Sequence, residues 1–247
     1  PQAKEISPYR YVGVNFNSQG NPNLKPSDNY NLDLKWDFNP TPTELMSLTA
    51  FYKLIKNPIS RIEVASAGGY LSYENIADKA TVAGVEVEIR KNLFVRPVSN
   101  AAHGMNKLSL GLNSSYIYTN AKMPLATVTT GSQLEGAAPW IVNFDLSHNF
   151  TKGERSFVNT LVLNYVSDKI YTIGTQGYQD IMEQGVLTLD FVSQAKLNKH
   201  LSFNLKARNL LNSSYKLSRK ANENGEKVIL NDYKKGINIS LGVSCTF

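Results

Sequence analysis

The side chains able to do chemistry are scattered along this chain rather than clustered. The three histidines, His103, His148 and His200, stand far apart and at no metal-ligand spacing. Asp33 with Asp37, and Glu86 with Glu88, are carboxylate pairs that a strand would place on one face. Such pairs can act as general acid and base. Lys35 and Arg90 share those faces, so a solvated, charge-balanced lining is the simpler reading. Cys245 is the sole cysteine, which excludes an internal disulfide. Gly68, Gly69, Gly131, Gly174 and Gly177 fall in connections that no helix follows, unlike a phosphate-binding turn. Tyr70, Tyr73, Tyr171 and Tyr178 are different. They sit in long connections, where aromatic rings supply rigid contact area for a small-molecule ligand. The densest basic run is Arg219, Lys220, Lys227, Lys234 and Lys235. It would attract an anionic partner or simply remain solvated. These residues predict no catalytic centre, no metal site and no cofactor.

What must position them is a set of strands, because the dominant hydrophobic period is two, not 3.6. Tyr30, Leu32, Leu34, Trp36 and Phe38 alternate with Asn29, Asn31, Asp33, Lys35 and Asp37. Near the C-terminus, Ile237, Ile239, Leu241, Val243, Cys245 and Phe247 alternate with Asn238, Ser240, Gly242, Ser244 and Thr246. This pattern predicts about ten strands, near 9–14, 28–38, 44–56, 80–91, 107–119, 139–150, 155–166, 186–197, 201–212 and 233–247. No segment reads as a confident helix. Tight turns at 39–43, 151–154 and 198–200 alternate with long connections at 15–27, 57–79, 120–138, 167–185 and 213–232. The segment 92–106 falls on the short side but is not short.

The 247 residues are 42% hydrophobic and 19% charged, with a net charge of +6. That is enough apolar content for a core and too little positive charge to argue for nucleic acid. No run is long and apolar enough for a membrane helix, whereas alternating strands hide their hydrophobicity from such a search. Alternating short and long connections, with strands of roughly 11–13 residues, fit an antiparallel up-and-down barrel in an outer membrane. The aromatic residues sort by depth as well. Phe38, Phe150, Phe157 and Phe247 fall at the periplasmic rim, and Tyr30, Tyr118, Trp140 and Tyr165 at the opposite one. The second face of the strands carries Asp33, Glu86, Glu88, Arg90, Asp145, Asp190, Lys206 and Arg208. So many charges cannot fill a small dry interior, and each basic one would cost about 2–4 kcal/mol at the midplane of the lipid. The charged face is therefore the lumen, and the apolar face, which includes His148 and Cys245, meets lipid. A soluble β-sandwich is the bland alternative.

Several segments taken in order resemble the barrel of the TonB-dependent outer-membrane receptors. They are Lys4-Glu5-Ile6-Ser7-Pro8, then Gly20-Asn21-Pro22-Asn23-Leu24-Lys25-Pro26 before the strand at Tyr30; Ala50-Phe51-Tyr52-Lys53 with Lys56-Asn57-Pro58-Ile59; Ala83-Gly84-Val85-Glu86-Val87-Glu88; and Ala207-Arg208-Asn209-Leu210-Leu211-Asn212, ending near Tyr215. The final Ser240, Gly242, Cys245 and Phe247 are similar to the terminal signal read by the barrel-assembly machinery, with Cys245 smaller than usual. The resemblance implies a 22-stranded barrel, of which residues 1–247 would be the C-terminal portion, with the plug domain absent from this chain. It further implies the bacterial outer membrane, contact with lipid and lipopolysaccharide, and coupling to TonB through an N-terminal part not present here. The ligand would be a scarce nutrient such as an iron chelate (siderophore or haem), and the protein would be no enzyme. The alternative is a complete small barrel acting as a protease, a lipase or a passive pore. No histidine is expected at the external rim, which weighs against the enzymes.

Overall fold

The computed structural model describes residues 1–64, 69–98, 104–123, 132–175, 177–221 and 226–247. Nine strands form one antiparallel sheet: β1 (Asp28–Phe38), β2 (Leu45–Lys56), β3 (Lys79–Pro97), β4 (Met105–Ala121), β5 (Trp140–Lys152), β6 (Arg155–Val166), β7 (Val186–Lys196), β8 (Leu201–Arg208) and β9 (Asn238–Cys245). Each pairs only with its neighbours in sequence, so the sheet is an up-and-down meander. One expectation needs correction. Among the described residues the wall has nine strands rather than ten, because the stretch expected at 9–14 contributes only a two-residue strand, Arg10–Tyr11, outside the wall. The sheet is open, unlike the closed form that a complete small barrel needs: β1 and β9 each keep one unpaired edge. The one helix among the described residues is a single turn, Ala3–Ile6.

The alternation assigns the faces as read from sequence. Leu32, Leu34, Leu161 and Leu241 are 71%, 75%, 40% and 71% exposed, whereas Ser47, Ser115 and Thr119 on the other face are 5–7% exposed. Large apolar groups outside and small polar groups enclosed is the inverse of a water-soluble sheet, and it suits lipid outside and water within. The register sets the aromatic levels: Tyr116 pairs with Trp140 at one end, and Phe150 with Phe157 at the other, with ring centroids 4.7 and 6.4 Å apart. Just above the lower ring, His148 and Asn159 lie directly opposite each other on the outer face. His148 Nε2 lies 2.8 Å from Asn106 Oδ1, and Ser193 donates to Asn159, so these outward polar groups satisfy one another.

The described parts of the segment 92–106 are largely strand. β3 and β4 remain paired down to Pro97 and Met105, with a bulge between Asn92 and Phe94. The extra residue shifts the alternation, bringing Phe94 opposite Leu108 on the outer face. Arg96, two residues on, lies over the Phe94 ring at 5.6 Å. A period-two reading of sequence loses count at such a bulge. The tight turns stand where expected: Lys152 pairs with Arg155 across Gly153 and Glu154, and Gly153 takes the positive φ of 59° that so short a hairpin requires.

Candidate ligand-binding site

Three of the long connections on the side opposite the tight turns, 57–79, 167–185 and 213–232, carry paired strands that extend the molecule beyond the wall. Asn57, at φ 49°, redirects the chain after β2 into the strand Ile59–Val64, which pairs with Tyr70–Asn75. Lys169–Thr172 pairs with Ile181–Glu183, which pairs with Ser214–Lys220, which in turn pairs with Lys227–Lys234. The N-terminal segment joins the first group through Ser18, parallel to Leu71. The two groups meet at a parallel bridge between Ile62 and Ile173. There the Glu63 amide donates to the Ile173 carbonyl at 3.1 Å, and the Ile173 amide to that of Arg61 at 3.0 Å.

Beneath this bridge lies the main apolar core of the molecule. Ile62, Ile76, Ala80, Leu134, Ile170 and Ile173 pack together, all less than 9% exposed. The wall leaves its large apolar groups exposed on its outer face, whereas connections that meet water must bury their own. Two ion pairs brace the assembly. Arg219 binds Glu63, and Arg61 Nη2 lies 3.0 Å from Glu135 Oε1, both pairs largely enclosed. Glu135 also accepts the Arg61 backbone N–H at Oε2, at 2.6 Å. Burial raises the Glu135 carboxyl above the usual carboxylate range, against the opposing pull of Arg61.

The four candidate tyrosines divide. Tyr73 and Tyr171 meet in one external cavity of about 360 Å³, with Lys4, Tyr11, Phe16 and Arg61 also on its walls. The Arg61 guanidinium lies over the Tyr171 ring at 4.4 Å, and Phe16 adjoins that ring at 6.2 Å. Burial raises the Tyr73 hydroxyl above the ordinary phenol range. Tyr70 is three residues from Tyr73 and so takes the opposite face of its strand, where Arg10 covers its ring at 5.7 Å. Tyr178 stands apart against Arg219, 5.4 Å from the guanidinium carbon.

The basic run is not one patch. Arg219 is consumed by Glu63 and Tyr178, and Lys235 lies 3.8 Å from the Tyr215 ring centre. Among the residues that went unnoticed in sequence are Phe16 and Arg61, which line the cavity, and Glu135, which holds Arg61. No local signal marks them, because Arg61 and Glu135 are 74 residues apart. His103, Gly68 and Gly131 lie outside the described residues. His200 Nδ1 lies 2.7 Å from the Thr246 carbonyl oxygen and anchors the end of the chain to its turn. Cys245 is exposed on the outer face of β9, with Ser240 and Gly242 on the inner one and Phe247 projecting beyond the strand. Among the described residues, no group of three or more His, Cys, Asp or Glu side chains could hold a metal ion.

The model of the TonB-dependent-receptor-like β-barrel family matches residues 1–210. The chain belongs to that family, a family of receptors rather than enzymes, and its place is the outer membrane. It is 26% identical over 200 residues to the iron-regulated outer membrane virulence protein of Vibrio cholerae serotype O1 (strain ATCC 39315 / El Tor Inaba N16961), a match covering 77% of this chain. The chain spans 28% of that relative's length. No solved structure matches it significantly.

Proposed function

We propose that this chain is the C-terminal portion of an energy-coupled uptake receptor that takes in a scarce nutrient, such as an iron chelate of the siderophore or haem type. The observation that carries this reading is the external cavity: a cationic and aromatic pocket, framed by interlocked hairpins, standing over a wall whose inner face is charged. Family membership supports receptor-mediated uptake, and the Vibrio protein's description as iron-regulated supports iron as the element concerned.

The two unpaired sheet edges support a larger barrel, since an open edge in hydrocarbon leaves backbone groups unsatisfied at several kcal/mol each. Twenty-two strands is the count the family resemblance suggests. In this reading a plug and a TonB-contacting segment belong to the rest of the protein, and the outer strands contact lipid and lipopolysaccharide. Ser240, Gly242, Cys245 and Phe247 serve the barrel-assembly machinery.

The test is deletion of the gene in its host, followed by growth and radiolabelled iron uptake from a panel of chelates under iron limitation. Loss of uptake from one chelate, restored by the gene only when TonB is functional, is the expected result. Unchanged uptake from every iron and haem source would overturn the iron reading, and uptake independent of TonB would overturn energy coupling.

A further inference from the structure

Arg61 sits between two cavities. It lines the external one, while Glu135, its partner, lines a second of about 530 Å³ together with Glu5, Ser27, Asn29 and Ile55. The guanidinium is incompletely used. One Nη atom faces Glu135 Oε1, yet the buried Nε has no hydrogen-bond acceptor among the described residues. A buried donor without an acceptor is costly and marks a place where an acceptor would be gained.

Glu135 is held by two separate contacts through two different oxygens. Oε2 takes the Arg61 amide and Oε1 takes the guanidinium. A protonated carboxyl could keep the first contact through its carbonyl oxygen and relinquish the second.

We propose that Arg61 is an anion-exchange site: a carboxylate or similar anionic oxygen of the solute displaces Glu135 Oε1 from the guanidinium, and Glu135 takes up one proton from solvent as it is displaced. The inference rests on the uptake reading for its purpose, but binding can be measured without transport. The backbone need not move. Leu134 N–H remains on Thr119 Oγ1 at 3.1 Å, Gly136 N–H on the Ile170 carbonyl at 2.8 Å, and the Ile62–Ile173 bridge is untouched. The charges balance, since one anion enters, one carboxylate is neutralised and Arg61 keeps its charge. The groups facing the exchange are Glu5 from the N-terminal turn, Tyr73 from the partner strand, Tyr171 from the neighbouring hairpin and Lys4 at the cavity wall. Glu5 disfavours a charged Glu135 and so assists the uptake of the proton. Burial already biases Glu135 in the same direction.

The probe is benzoate, a ring-borne carboxylate that stays ionised from pH 5.5 to 8. It is titrated calorimetrically into the purified full-length receptor in two buffers of different ionisation heat. Expected are an uptake approaching one proton per benzoate and an affinity that falls by up to about tenfold per pH unit over the alkaline part of this range. Glu135→Gln should bind at least as well at pH 8 and lose the pH dependence, while Arg61→Gln should abolish binding. Absence of benzoate binding, binding without proton uptake, or binding indifferent to Arg61→Gln would overturn the proposal. The two-buffer measurement on the unmodified receptor stands even if a variant misfolds. A receptor that shows proton-linked binding yet no iron transport would retain this site and lose the transport reading; the converse separates them the other way.

Discussion

Adjacent residues in the middle of β6 offer a sharp test of which face meets lipid. Leu161 is 40% exposed on the outer face, and its cross-strand neighbours are Leu146 and Phe191. Val162 points inward, and its neighbours on either side are Asp145 and Asp190. Leu161→Arg places a guanidinium near the centre of the apolar band at a cost of about 2–4 kcal/mol. Val162→Arg places the same group between two carboxylates, each opposite-charge pair contributing roughly 0.2–1 kcal/mol. The two variants should therefore differ by at least about 2 kcal/mol, or about thirtyfold in the folded-to-unfolded ratio. The assay is guanidinium titration of the full receptor in phosphatidylcholine vesicles, scored by heat-modifiable gel mobility. Composition, strand propensity and assembly route are nearly identical for the two, so the contrast isolates the facing. Equal losses, or a larger loss for Val162→Arg, would refute the inside-out assignment and restore a sheet with a dry apolar interior.

Other consequences are equally specific. Gly84 lies against the Phe51 ring, where an added Cβ would come 2.3 Å from Phe51 Cζ and 2.5 Å from the Tyr116 carbonyl oxygen; Gly84→Val should cost about 1–3 kcal/mol in the same vesicle titration. Arg219→Ala leaves Glu63 enclosed without its partner and should loosen the external hairpins by about 3 kcal/mol, read as faster protease nicking there with the wall intact. Because the folded state raises Glu135 above its ordinary range, it binds a proton that the unfolded chain releases just above that range. That contribution to stability falls as pH rises through the window and disappears in Glu135→Gln, which thermal scans of variant and parent at pH 5 and pH 7 will show. Phe247→Ala should lower the amount of receptor reaching the outer membrane, measured by fractionation, with no change in the ligand affinity of what does arrive.

How much of this was legible in the sequence follows the range of the forces involved. Strand positions and facing were legible because side-chain direction alternates with a period of two, so Leu32, Leu34 and Trp36 declare their face without any partner. The alternation of short and long connections likewise reports sidedness from the chain alone, as at Gly153. Where the local geometry departs from the period, the reading slips. The bulge before Phe94 hid the lower part of β3, and the apolar stretch at 9–14 looked like wall although no neighbour pairs it there.

The candidate site lay on the other side of this divide. Tyr70 and Tyr73 were equivalent as sequence, but pleating sent them to opposite faces, and only Tyr73 met Tyr171. Glu63 and Arg219 are 156 residues apart, and Arg61 and Glu135 are 74 apart. No period or spacing links such residues. They come together because the external hairpins, surrounded by water rather than lipid, must bury Ile62, Leu134, Ile170 and Ile173 against one another, and the charged neighbours of those residues are carried along. The sequence by itself determined the wall and its two faces, through local alternation. Tertiary packing decided the cavity, since burial of a shared core is a property of segments distant in the chain.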